Sequence, residues 1–144
     1  MTLTPHLSPR VGPGVAVDID EAMIRRLVHA FYARVRLDPA LGPIFNREIG
    51  DGWDHHLAKL CDFWSSVMLM TGRFKGAPMA THVQLPDIRP THFARWLHLF
   101  RLTAEETCPP AAAELFVRRS EMIAQSLQLG IASSRGELPA RRGP

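Results

Sequence analysis

The sequence predicts an all-α fold, and three observations carry that expectation. Apolar residues recur at helical spacing in four separate stretches, marked by Ile24, Leu27, Val28, Phe31 and Val35, by Leu60, Trp64 and Val67, by Phe93, Trp96, Leu97 and Phe100, and by Leu115, Phe116, Met122, Ile123 and Leu127. Proline or glycine stands between the stretches, at Pro39, Gly72, Pro86 and Pro109-Pro110. No segment sustains the period-two alternation of β-branched residues that a strand needs. With 144 residues and no internal repeat, the chain suits one domain.

Taken in order, residues 1–17 hold Pro5, Pro9 and Pro13 with Gly12 and Gly14, and read as a mobile N-terminal arm. The domain is expected over 18–131. Asp18 with Glu21 three residues later has the form of a capping box for the first helix, which Asp38-Pro39 ends. Residues 39–45 suit a short helical turn that delivers Ile44 and Phe45 to a core, with a loop over 46–52. A second long helix runs from Trp53 to Met70, with His56, Leu60, Trp64 and Val67 on one face. His55 points about 100° away from His56 around that helix. A Gly/Pro-punctuated connector follows and carries His82, 26 positions after His56 (82 − 56 = 26). The third long helix opens at Pro90, where a missing N–H costs nothing. The last spans 111–129 with Gly130 as its stop, and 132–144 reads as a disordered tail.

Composition excludes several classes. Hydrophobic residues make up 46% and charged residues 22%, and no apolar run approaches the roughly 18 residues that span a bilayer. The first residues carry Pro and Gly where a signal peptide needs an apolar helix, so a cytoplasmic location without membrane contact is expected. The net charge of +3 falls in the two ends, because 13 Lys/Arg balance 13 Asp/Glu between Asp18 and Gly130. A nucleic-acid partner is therefore not expected. Cys61 and Cys108 have no metal-binding spacing and read as free thiols. There is no Walker-type loop, no GxGxxG after a strand and no HExxH.

The stretches FYARVRLDPALGPIFNREIG, WDHHLAKLCDFW, GAPMATHVQLP, HFARWLHLF and MIAQSLQLG, in that order, resemble successive blocks of the group III truncated haemoglobins over about Asp18 to Gly130. The glycine pairs that other groups of the family carry near the first helix junctions are not evident, which agrees with group III. The resemblance implies a truncated globin, a two-over-two helical sandwich around haem b. It implies His82 as the proximal iron ligand; by its surroundings alone, His82 would pass for a histidine hydrogen-bonded at a loop end. The same resemblance puts Tyr32, His56 and Trp96 at the distal ligand site, where His56 could donate a hydrogen bond, swing as a gate or coordinate iron. Without it, His56 reads as a surface histidine, and Tyr32 and Trp96 as core aromatics.

Phe31, Phe45, Leu60, Trp64, Phe93, Leu97, Phe100 and Ile123 would form the cofactor cavity or the core behind it, with Phe45, Leu60, Trp64, Phe93 and Trp96 touching haem. Arg73, Lys75, His92 and Arg95 are candidate cations for the haem propionates. The function implied is binding of O2 and other diatomic gases such as CO and NO. Two alternatives stand beside it. One is an NO dioxygenase or peroxidase-type enzyme working with an external reductase, since the chain has no flavin or nicotinamide motif. The other is a cofactor-free helical interaction module.

Overall fold

The computed structural model describes residues 12–76, 88–134 and 136, and within them every regular element is helical. The helices are α1 (Glu21–Leu37), α2 (Gly42–Ile49), α3 (Trp53–Leu69), α4 (Pro90–Thr107) and α5 (Pro110–Ser134), preceded by a single 3₁₀ turn at Val15–Val17. Helix α1 packs on α2, α3 and α4, and α4 packs on α5. The two pairs α1/α3 and α4/α5 thus lie one over the other, as the expected two-over-two sandwich requires.

The cap of α1 is Asp20 rather than Asp18. Asp18 closes the 3₁₀ turn with φ 61°, donating its N–H to Val15 O, whereas Asp20 is extended and its Oδ1 accepts the Met23 N–H at 2.9 Å. Glu21, the expected capping-box partner, instead accepts from Ser65 Oγ at 2.8 Å and pairs with Arg73 at 3.4 Å, tying the start of α1 to the end of α3. Gly12 to Val17, inside the segment read as an arm, lies against that same end. Gly14 N–H donates to Met68 O at 2.9 Å, and a Cβ on Gly12, whose φ is 110°, would strike the Met68 carbonyl.

Two further boundaries moved. Helix α2 runs through Asn46 to Ile49, where a loop was expected. Pro43 pre-sets its first turn, and Gly50, with φ 57°, ends it. Helix α5 passes through Gly130 to Ser134. A mid-helix glycine costs about 1 kcal/mol, and the burial of Ile131 one residue later offsets that cost.

Two apolar clusters result. The larger draws on all five helices around Phe31, Trp64, Phe100 and Phe116, with Phe100 stacked on Trp64 (5.5 Å, 17°) and on Trp96 (5.4 Å, 10°). The smaller contains Ile44, Ile88, Phe93, Ala124, Leu127 and Ile131. One half-buried ion pair pins the corner between α1 and α4. Asp38, its side chain only 4% exposed, accepts from the Ala40 and Leu41 N–H groups and from Arg95 Nε (2.9 Å) and Nη2 (2.6 Å). The Arg95 bond holds the Asp38 carboxyl below the usual carboxylate range, against the opposing effect of its burial.

Candidate functional site

Between the two clusters lies a cavity of about 210 Å³, well beyond the roughly 10 to 15 Å³ that one water needs. It is therefore large enough to admit more than a single water. Its walls come from both clusters, with Leu41, Phe45 and Trp64 on one side and Ile88, Phe93, Ala124 and Leu127 on the other.

Polar atoms enter this apolar space at few points. Tyr32 projects from α1 and is 6% exposed. Burial pushes its phenol up to about 12, against a lowering influence of the neighbouring Trp96 side chain. The phenol therefore keeps its proton across the physiological range and can donate. His56, on the first turn of α3, stands with its ring 6.1 Å from the Tyr32 ring at 90°. Trp96 is fixed on α4 by its stack on Phe100 and an edge contact with Phe31 at 5.2 Å. These three side chains, from three helices, all line the cavity.

Lys59 and His92 add further cationic or protonatable groups to the lining, beside His56. His92 Nδ1 accepts the Arg89 N–H at 2.9 Å, so its neutral ring carries the proton on Nε2. Phe74 is brought in by the turn after α3. Its N–H donates to Ser66 Oγ at 2.9 Å, and its ring meets Phe63 edge-on at 5.3 Å.

The lining combines apolar walls, the Tyr32 hydroxyl and Trp96 indole, and Lys59 and His92, a set that suits a largely apolar ligand carrying acidic groups. No family model matches the chain. It is 34% identical over 113 residues to the Group 3 truncated hemoglobin ctb of Campylobacter jejuni, covering 76% of this chain and 89% of that one. The crystal structure of a group III truncated hemoglobin from Campylobacter jejuni superposes with a TM-score of 0.73, at 34% identity and with the same coverage of both chains. The chain belongs to the group III truncated haemoglobins. Membership implies haem-based ligand binding of the globin type.

In this truncated haemoglobin, Tyr32, Phe45, His56, Leu60, Trp64, Phe93, Trp96 and Ile123 all line one cavity. Phe31 and Phe100, each 1% exposed, are core behind it, and Leu97 packs against the smaller cluster. His82 lies outside the described residues. Among the expected propionate cations only His92 lines the cavity, while Arg73 pairs with Glu21 and Arg95 with Asp38. Lys59, Phe63 and Phe74 were missed. Lys59 and Phe63 follow His56 by three and seven positions, a helical spacing that would have found them; Phe74 owes its place to a turn with no sequence periodicity. Among the described residues, no helix is long and apolar enough to cross a membrane.

Proposed function

We propose that this chain binds O2, and with it CO and NO, at haem b seated in the cavity, with His82 as the proximal iron ligand and Tyr32, His56 and Trp96 facing the gas. The observation that carries the reading is the convergence of those last three side chains on one apolar cavity in a chain of this family. Bound there, haem would supply an iron atom with a coordination position open to a diatomic molecule.

The remaining work belongs to the protein. Phe45, Leu60, Trp64 and Phe93 would hold the ring by shielding its apolar surface from water, at about 25 cal/mol per Å² buried. Lys59 and His92 would meet the propionate carboxylates. Burial pushes the Tyr32 phenol up to about 12, so it keeps its proton and would donate it to a polar ligand.

His82 is six residues from Gly76 (82 − 76 = 6) and six from Ile88 (88 − 82 = 6), and both of these line the cavity. Among the described residues of this end of the chain, His92 is the imidazole that lines the cavity, and it is a poor competitor, since its Nδ1 is engaged by the Arg89 N–H and a neutral ring protonated on Nε2 has no lone pair there for a metal.

The test is a spectrum. Purified full-length protein from haem-supplied cells should show a Soret band that shifts with dithionite and again with CO. His82→Ala should retain much less haem, with added imidazole restoring part of it. A colourless wild-type protein would overturn haem binding, and unchanged haem content in His82→Ala would overturn the proximal assignment.

A further inference from the structure

Helix α3 begins on Gly52, which offers no side-chain cap, and His56 sits on that first turn. A first turn without a cap frays readily. Packed against it is Trp53, 5% exposed and absent from the cavity lining. Its indole packs from behind on both polar rings of the site, 6.0 Å from Tyr32 and 5.6 Å from His56, the latter edge-on at 88°. The indole in turn is gripped from outside. Its Nε1 donates to Asn46 Oδ1 at 3.1 Å, Asn46 Nδ2 donates to Arg36 O at 3.1 Å, and the Arg36 guanidinium lies over the indole at 4.8 Å. The chain of contacts runs from the end of α1, through α2, to the start of α3.

We propose that Asn46 and Trp53 form a latch that positions His56, and so set how readily a gas enters the cavity; the proposal rests on the reading of the cavity as the gas site. Neither residue touches the ligand. Both are positioning residues, acting through the first turn of α3. Breaking the Asn46–Trp53 bond lets that turn open and His56 leave its place beside Tyr32.

Flash photolysis of CO from haem-loaded full-length protein tests this, with wild type, Asn46→Ala, Asn46→Asp, His56→Leu and the Asn46→Ala/His56→Leu double variant. Asn46→Ala should speed CO association about fivefold, the equivalent of one neutral hydrogen bond. Asn46→Asp keeps the acceptor for the indole and should stay within about twofold of wild type, a rescue that a general loss of packing would not give. In the His56→Leu background, Asn46→Ala should change nothing further. Amide exchange at residues 56–59 should quicken in both proteins that carry Asn46→Ala, and not in His56→Leu or Asn46→Asp. If Asn46→Ala leaves association unchanged while His56→Leu alters it, or acts equally in both backgrounds, the latch is wrong and the cavity reading survives. If His56→Leu itself has no effect, the gating role of His56 falls, and the latch with it.

Discussion

The two clusters that enclose the cavity differ in kind. The larger one is aromatic and cross-braced: Phe31 alone makes edge contacts with Tyr32, Trp96 and Phe100 at 4.6 to 5.2 Å, and its rim carries the Tyr32 hydroxyl and the Trp96 indole. The smaller one is mostly aliphatic, with Phe93 its single aromatic ring among Ile44, Ile88, Ala124, Leu127 and Ile131. Aromatic side chains bring large area with few rotamers and a polar edge; aliphatic ones bring area alone. One wall is therefore built to fix direction, and the other to exclude water and accept whatever fills the cavity.

That contrast is open to attack by mutation. Phe31→Ala, deep in the braced cluster, should cost about 4 kcal/mol in urea unfolding, and the cost should be the same with and without haem. Leu127→Ala, on the aliphatic wall, should cost about 2 kcal/mol, and more in the haem-loaded protein than in the haem-free one, because only there does the lost side chain have a partner across the cavity. Equal haem dependence of the two variants would erase the distinction between the walls.

A smaller effect is expected at the corner that holds α4, and with it Trp96, against α1. Asp38→Asn removes the charge that Arg95 pairs with and should cost about 1 to 2 kcal/mol at neutral pH. The folded pKa of Asp38 lies below its unfolded value, so its contribution is fully present above the unfolded value, about 3.9, and is lost as pH falls through the folded one. Wild type should thus lose stability in acid more steeply than the variant, and the two unfolding curves should converge. Parallel loss in both would mean that Asp38 stays protonated or unpaired.

How much of this was legible in the sequence follows the same division. The four long helices and most of their inward stripes came directly from periodicity, since residues such as Leu27, Phe31 and Val35 declare one face without outside information, although Met122, placed inward by the same spacing, is exposed. Helix boundaries did not. Asp20 won the cap from Asp18 because a left-handed residue cannot serve as one, and Gly130 failed as a stop because Ile131 gains more from burial than a glycine loses. Tyr32 and Trp96 needed the family resemblance, as nothing in their spacing separates a pocket aromatic from a core one. The Asn46–Trp53 bond was invisible, because it joins the end of one helix to the start of the next through side chains that have no periodic signature.

The most direct test of the braced wall's purpose is the release of two gases from two proteins. A diatomic ligand that is polar when bound, such as O2, should gain from the Tyr32 hydroxyl; CO, which stays nearly apolar, should not. Tyr32→Phe removes one oxygen atom and preserves the ring contacts with Phe31, Phe45, Trp53 and His56. Stopped-flow measurement should show O2 release from the variant faster by roughly ten to a hundredfold and CO release nearly unchanged. Equal acceleration of both gases would contradict the account, since it would mean that the cavity discriminates by space and not by the hydrogen bond that this wall holds in place.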